Sequence, residues 1–262
     1  MGDIKLFKIK NDTVKELEGK SLAIEKSLQQ LFEKHLETLL GIRFLASEYT
    51  TGKKHAGRID TLGIDEKNSP IIIEYKRSIN ENVINQGLFY LDWLLDHKAE
   101  FELMVLRKFG DEVANAIDWS NPRLLCIAGG FTKYDEYAVQ QINRNIELYQ
   151  YKHYEDSYIL LDLINASTAQ TTNSIEDTTV ASAVSMRTTR MKTVSDYLDQ
   201  ANIKLTDRFE KLKDHMMSLS DDVQMKTLKH YIAFKRIKNF ACVEVHRNII
   251  RGKQSNVIKI EI

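Results

Sequence analysis

The stretch from Gly57 to Arg77 reads GRIDTLGIDEKNSPIIIEYKR and decides how the first part of the chain folds. Two apolar segments of strand length flank a polar turn at residues 65–69, which is typical of two strands joined as a hairpin. Because side chains alternate between the two faces of a strand, Glu74 and Lys76 are expected to share one face. Asp60 precedes the turn, so a hairpin would bring its carboxylate close to that of Glu74.

Two carboxylates that converge offer hard oxygen ligands, which suit Mg²⁺ or Mn²⁺. Such an ion lowers the pKa of a bound water and neutralises charge on a phosphate, and the ammonium of Lys76 would add a second positive charge. This combination is the chemistry of phosphodiester hydrolysis. The alternative is that Asp60, Glu74 and Lys76 form the solvated face of an ordinary hairpin.

The apolar run Ile71–Ile73 bears on that choice because it is typical of a central strand buried on both faces. Burying Glu74 and Lys76 in such a strand is costly unless they have a function or a partner.

The surrounding segments alternate between helical and strand patterns. Helices are predicted from Ser21 to Leu40, where Gly41 ends the pattern, and from about residue 81 to 97. Further strands are predicted at Ile4–Ile9, Phe44–Tyr49, Leu124–Ala128, Ile146–Tyr151 and Tyr158–Leu163, and a further helix at Glu136–Arg144. This alternation indicates an α/β fold with a mixed sheet flanked by helices.

The motifs resemble those of a nuclease superfamily. Asp60 followed by Glu74-x-Lys76 resembles the PD-(D/E)xK pattern, although Ile59 replaces its proline, and Gln86-x-x-x-Tyr90 resembles the motif of the RecB-like branch. Over roughly residues 20–160 the order of these motifs is most similar to the NucS-like endonuclease group. The resemblance implies a restriction-endonuclease-like fold and metal-dependent cleavage of DNA.

The resemblance also implies roles for individual residues. Asp60 and Glu74 would bind Mg²⁺ or Mn²⁺, and Lys76 would be the catalytic lysine. Gln86 would contact the phosphate or orient the site, and Tyr90 is a weaker candidate for a DNA contact.

Members of the superfamily often carry another acidic residue on the first helix. Glu25, Glu33 and Glu37 are candidates because multiples of four residues place them roughly on one face. Glu37, nearest the end of the helix, is chosen as a weak third metal ligand, and Glu48 on the next strand is another candidate. The alternative is a solvent-facing acidic stripe.

Basic residues surround the two predicted strands. Lys53, Lys54 and Arg58 belong to a glycine-containing segment that leads into the first strand, and Arg77 ends the second. We expect these four residues to contact a DNA backbone, with a plain polar connector as the alternative.

Charge and composition divide the chain. Residues 190–262 hold 15 basic and 9 acidic residues, and 11 of the 23 residues from Ser167 to Thr189 are Ser or Thr. We therefore predict a nuclease-like domain at 1–165, a linker at 166–190 and a basic α+β accessory domain at 191–262. The last resembles a small domain found behind such nucleases, whose members usually continue past the position of Ile262, so we expect it to be incomplete.

The aromatic and basic residues of the accessory domain suit nucleic acid or a protein partner. The alternative is a solvated sheet face with its aromatics in the core.

Composition excludes several classes of protein. The 37 basic and 37 acidic residues cancel, which excludes a uniformly basic nucleic-acid coat. The 2 cysteines lack neighbours at metal-ligand spacing, so neither a disulfide framework nor a zinc site is expected. No signal peptide and no apolar run near 18 residues is found, so we expect a cytoplasmic protein that does not contact membranes.

Two rival functions stay open: a non-catalytic nucleic-acid binder on a nuclease scaffold, and an interaction protein without a nucleic-acid role. The sequence also leaves open the choice between DNA and RNA, and between a monomer and a homodimer.

Overall fold

A computed structural model describes residues 4–21, 25–52, 57–76, 83–155, 157–167, 194–199, 201, 203–220, 223–227, 231–250 and 253–261. The chain divides into two compact units, Met1–Ala169 and Gln170–Ile262. Most of the predicted linker lies outside the described residues, and its first two residues end a strand of the first unit.

The first unit opens with an antiparallel hairpin of β1 (Leu6–Lys10) and β2 (Thr13–Leu17). The sequence pattern predicts one strand at Ile4–Ile9 and misses β2, because Leu17 is the one buried residue of β2 and no alternation marks the strand. The residues between the strands, Asn11 and Asp12, have φ values of 49° and 59°, the left-handed backbone that tight hairpin turns require.

A six-stranded sheet follows, with spatial order β3-β4-β5-β6-β7-β8. Its strands are β3 (Arg43–Thr50), β4 (Arg58–Ile64), β5 (Pro70–Lys76), β6 (Arg123–Ala128), β7 (Asn145–Tyr154) and β8 (Tyr158–Ser167). β5, β6 and β7 pair in parallel, and the other neighbours are antiparallel. The mixed α/β fold predicted from the sequence is therefore confirmed.

Six helices of the described part of this unit accompany the sheet. They are α1 (Glu25–Lys34), α2 (Leu36–Leu40), α3 (Val83–Asp96), α4 (Lys98–Phe109), α5 (Asp111–Asn115) and α6 (Lys133–Gln141). The single helix predicted over Ser21–Leu40 is wrong, since the helix is interrupted at His35, although Gly41 ends it as predicted, with φ 68°. α6 begins earlier than predicted because Thr132 and Asp135 form a capping box.

Helices cover both faces of the sheet. On one face, Phe32 of α1 packs its ring 5.8 Å from that of Tyr75 on β5. On the other face, α3 packs against a core that includes Ile72 and Leu124. Gly87 permits this close approach, because a Cβ there would lie 2.4 Å from Leu124 Cδ1. The central strand β5 is thus buried on both sides, as its apolar run predicted.

The second unit contains helices α7 (Val194–Asp199) and α8 (Ile203–Ser218) and a four-stranded antiparallel sheet of order β12-β11-β10-β9. The strands are β9 (Gln224–Thr227), β10 (Ile232–Lys235), β11 (Asn239–Ile250) and β12 (Lys253–Glu261). Leu205 and Phe209 of α8 belong to one core with Ile232 and Phe234 of β10.

The aromatics of β10 and its flank do not form a stacking surface for bases. Tyr231 and Phe234 are buried, so the alternative in which they belong to the core holds for both. In the described part of the whole chain, no helix is long and apolar enough to cross a membrane.

Candidate active site

The predicted residues Asp60 and Glu74 meet where β4 and β5 part. The last recorded pair of these strands is Thr61 with Ile73, so Asp60 and Glu74 are the next residues on each side. The backbone N–H of Asp60 donates to Glu74 Oε1 at 3.2 Å. In return, the N–H of Tyr75 donates to Asp60 Oδ2 at 3.0 Å. The two carboxylates thus replace the ladder hydrogen bonds at this end of the hairpin.

Glu74 is fully buried, and its Oε2 atom has no hydrogen-bond partner among the described residues. Burial, reinforced by the charge of Asp60, raises the pKa of Glu74 to about 9. Burial also raises the pKa of Asp60. The hydrogen bond from the Tyr75 N–H and the charge of Lys76 partly offset this rise. A buried carboxylate beside a second, half-buried one is costly without a cation.

Lys76 and Glu25 lie beside the acidic pair of Asp60 and Glu74. The ammonium of Lys76, at the end of β5, lies 3.5 Å from Glu25 Oε1 at the start of α1. The charge of Lys76 lowers the pKa of both Asp60 and Glu74, and the charge of Glu25 raises both. The structure therefore brings together four titratable side chains from α1, β4 and β5.

The structure separates the three acidic candidates of the first helix. Glu37 lies exposed on α2, beyond the interruption at His35, which breaks the four-residue spacing on which its choice depended. Glu33 accepts a hydrogen bond from the hydroxyl of Thr61 at 2.6 Å. Of the three, Glu25 is the one whose charge acts on Asp60 and Glu74.

Gln86 and Tyr90 of α3 contact each other. The Tyr90 hydroxyl accepts hydrogen bonds from Gln86 Nε2 at 3.2 Å and from the backbone N–H of Arg58 at 3.1 Å. Tyr90 is 5% exposed, and a Cβ on Gly57 would lie 2.5 Å from its ring. These contacts place Tyr90 as a support for the start of β4, a different role from the DNA contact that the sequence suggests.

Of the four predicted backbone contacts, Lys53, Lys54 and Arg77 lie outside the described residues. Arg58 is described, with its side chain 62% exposed and Nη1 3.3 Å from Glu48 Oε2. Its positive charge lowers the pKa of Asp60, so the guanidinium lies within electrostatic reach of the acidic pair.

The donor atoms of the site suit a divalent cation. Asp60 and Glu74 offer oxygen ligands alone, and Glu74 Oε2 is buried without a hydrogen bond from any described residue. Such ligands fit Mg²⁺ or Mn²⁺. No group of three or more His, Cys, Asp or Glu side chains is arranged to hold a metal ion within the described part of the chain.

One residue of the site escapes the sequence analysis. Gln29 on α1 is 4% exposed and donates to the backbone carbonyl of Asp60 at 2.8 Å. Its position four residues from both Glu25 and Glu33 is the available signal, since residues four apart share one face of a helix.

No protein-family model matches the chain. An uncharacterized protein of Haemophilus influenzae is 28% identical over 251 residues, which cover 95% of this chain and 82% of that protein. The crystal structure of a repair endonuclease from Pyrococcus abyssi aligns with a TM-score of 0.33 and 16% identity over 49% of this chain and 47% of that chain. The EndoMS–dsDNA2 complex aligns with a TM-score of 0.28 and 16% identity, over 50% of this chain and 47% of that chain. This chain therefore spans about half the length of the solved structures to which it is similar.

Proposed function

We propose that the first unit is a metal-dependent endonuclease that hydrolyses phosphodiester bonds in DNA. One observation carries the proposal: Asp60 and Glu74 are brought together at the parting of β4 and β5, beside the ammonium of Lys76. A solvated hairpin face would leave Glu74 in water, whereas it is fully buried. A fully buried carboxylate beside a second carboxylate and a lysine is the kind of group that active sites build at a cost in stability.

Asp60 and Glu74 would hold Mg²⁺ or Mn²⁺ through their carboxylate oxygens. When bound, the ion supplies a Lewis acid that lowers the pKa of water and neutralises charge on the phosphate. Glu25 contributes differently from the predicted Glu37: its charge acts on both members of the pair, and its carboxylate pairs with the ammonium of Lys76.

Lys76 would stabilise the negative charge that grows on the phosphate during the reaction. Its side chain is 16% exposed, so the ammonium is partly shielded from water and its attraction to a phosphate is correspondingly stronger. Glu25, 3.5 Å away, holds the ammonium at the edge of the acidic pair.

Other residues would position the substrate. Arg58, and with it Lys53, Lys54 and Arg77, would contact the DNA backbone. Gln86 would orient the site through Tyr90, which supports the start of β4. We keep the accessory unit as a candidate for binding nucleic acid or a protein partner, and a homodimer as a candidate assembly.

The test is cleavage of labelled single-stranded, duplex, flap and mismatched DNA with Mg²⁺, Mn²⁺ or EDTA. We expect cleavage of at least one substrate that needs the metal and falls by at least about 100-fold in Glu74→Gln and in Lys76→Ala. Lys34→Ala, which removes an exposed lysine from the last turn of α1, is the matched control and should cut normally.

Absence of cleavage with intact, salt-dependent DNA binding would replace the proposal with a non-catalytic binder. Absence of both would favour an interaction protein.

A second comparison tests the role of Glu25. Glu25→Gln should lower the cleavage rate roughly 10- to 100-fold, because it removes the carboxylate that pairs with the Lys76 ammonium. Glu37→Gln, the same change on exposed α2, should leave the rate unchanged. Equal rates for the two variants would contradict the assignment of Glu25.

A further inference from the structure

Asp60 has left the strand pairing on both of its sides. Toward β3, the paired residues of β4 pass from Thr61 to Ile59 and skip Asp60. In the same register, Glu48 on β3 stands opposite Asp60 and has a φ of 50°, a left-handed backbone that non-glycine residues seldom adopt. Toward β5, the recorded pairing ends at Thr61. The backbone N–H and C=O of Asp60 therefore need partners outside the ladder.

Two side chains supply these partners. The N–H of Asp60 donates to the carboxylate of Glu74, and the carboxamide of Gln29 donates to the carbonyl oxygen of Asp60 at 2.8 Å. Gln29 is buried on α1, so this hydrogen bond forms away from water, where an unmatched amide is costly. Gln29 thus takes the place of a donor that neighbouring strands do not provide at this position.

The carboxamide of Gln29 is oriented by its own neighbours. Its Nε2 lies 2.9 Å from Glu33 Oε1 and 3.2 Å from Ser47 Oγ. Glu33 Oε1 also accepts from the hydroxyls of Ser47 at 2.7 Å and Thr61 at 2.6 Å. On the other side, Lys26 Nζ lies 3.4 Å from Gln29 Oε1. The NH₂ group therefore faces the strands, since it alone can donate to both a carboxylate and a carbonyl.

We propose that Gln29 is a positioning residue, which holds the backbone of Asp60 so that the Asp60 carboxylate meets the N–H of Tyr75 and lies beside Glu74. The Tyr75 hydrogen bond to Asp60 Oδ2, at 3.0 Å, reports this placement. Misplacement of a reacting group by about 1 Å can cost roughly 100-fold in rate. The catalytic consequence rests on the proposed endonuclease function, whereas the positioning of Asp60 does not.

The experiment compares Gln29→Leu with Gln30→Leu. Leucine is similar in size to glutamine but lacks the amide that donates to Asp60. Gln30 is the next residue of α1 and is exposed, so it is a matched control for the substitution. Gln29→Met, which keeps the unbranched shape but lacks the NH₂ group, is the second variant in case Gln29→Leu fails to fold. Amide hydrogen exchange of metal-free protein is measured by NMR at Asp60 and Tyr75.

Both Gln29 variants should accelerate exchange at Asp60 and Tyr75 relative to the rest of β4 and β5, and Gln30→Leu should not. With Mn²⁺ and a cleavable DNA, Gln29→Leu should lower kcat roughly 10- to 100-fold. The KM for DNA should change little, and the half-saturating Mn²⁺ concentration should rise.

Unchanged exchange at both amides in a folded Gln29 variant overturns the inference, whatever the activity. A general loss of thermal stability without a selective change at these amides overturns it too. Faster exchange in a protein whose wild type cuts no DNA upholds the positioning of Asp60 and rejects the endonuclease function.

Discussion

Buried carboxylates lie at both ends of β5, and the protein stabilises them differently. At the turn between β4 and β5, Asp65 Oδ2 lies 3.7 Å from Arg123 Nη1, and its Oδ1 accepts the N–H of Ser69 at 2.8 Å. Arg123 Nε lies 3.9 Å from Glu147 Oε1, and the Tyr149 hydroxyl donates to Glu147 Oε2 at 2.9 Å. We call Asp65, Arg123 and Glu147 the turn-end cluster.

At the opposite end, Glu74 has a second carboxylate, that of Asp60, as its neighbour. The nearby ammonium of Lys76 lies against Glu25. Burial raises the pKa of Asp65 to about 6 but that of Glu74 to about 9. At the turn end an arginine of the chain thus pairs with both carboxylates, whereas the arrangement around Glu74 suits a cation that comes from solution.

The largest effect is expected from removing the arginine of the turn-end cluster, which leaves its carboxylates without a cation, as at the Glu74 end of β5. Arg123→Met leaves Asp65 and Glu147 buried without their cation, so the free energy of unfolding should fall by about 3–5 kcal/mol. Urea denaturation at pH 7 measures it. Arg107→Met, at an exposed position of α4, should stay within about 0.5 kcal/mol of wild type. A cost for Arg123→Met below about 1 kcal/mol would remove the basis of the comparison.

At the Glu74 end of β5, replacing the carboxyl by a neutral side chain should increase stability. In the absence of divalent cations, Glu74→Gln should raise the free energy of unfolding at pH 7 by up to about 3 kcal/mol, because the folded protein no longer has to keep a buried carboxyl protonated. Urea denaturation in EDTA checks this, with Glu37→Gln as the exposed control. Destabilisation by Glu74→Gln would show that its carboxyl is structural, like those of the turn-end cluster.

Added Mn²⁺ should stabilise the folded protein only where the carboxylate of Glu74 is intact. At about 100 times its dissociation constant, a ligand that binds only the folded state adds about 2.7 kcal/mol. We expect the thermal midpoint of wild type and of Arg123→Met to rise with Mn²⁺, and that of Glu74→Gln to stay constant. Equal rises in wild type and Glu74→Gln would place the ion elsewhere.

The smallest expected effect is a dependence of the free energy of unfolding on pH. For Asp65 and Glu74 the folded-state pKa lies above the ordinary value, so the folded protein binds more protons and stability falls as pH rises. Asp65 contributes from about pH 4 to 6, whereas Glu74 contributes up to about pH 9. In EDTA, wild type should lose at most about 1.4 kcal/mol per pH unit between pH 6 and 9.

The matching measurement is the stability of Glu74→Gln over the same pH range, where it should be nearly constant. A slope equal to that of wild type would mean that other groups titrate there.

Local sequence patterns were sufficient to predict most elements of the first sheet. β4, β5 and β6 lie where alternation or an apolar run indicates them, because each of these strands carries its burial pattern within a few residues. β2 and β9 were missed because their residues are almost all exposed or partly exposed. Without a buried face, a strand has no hydrophobic period to detect.

The candidate site was predictable only where its residues share the hairpin. The carboxylates of Asp60 and Glu74 meet across two strands whose register follows from a short turn. The choice among Glu25, Glu33 and Glu37 was not predictable, because positions four apart on a helix are equivalent until the helix is interrupted at His35. Tyr90 illustrates the same limit. The motif predicts a DNA contact, whereas the buried side chain contacts Gln86 and the backbone of Arg58.

The sequence by itself thus determined the α/β class, the burial of β5 and the convergence of Asp60 with Glu74, since all three follow from patterns within short stretches of the chain. The tertiary structure decided that Glu25 reaches Lys76, that Gln29 holds Asp60, and that Arg123 pairs with Asp65 and Glu147. These contacts join residues 24 to 58 positions apart in the chain. Hydrogen bonds and ion pairs at that separation depend on how helices and strands pack against one another. The hydrophobic periodicity of a single helix or strand does not show this packing.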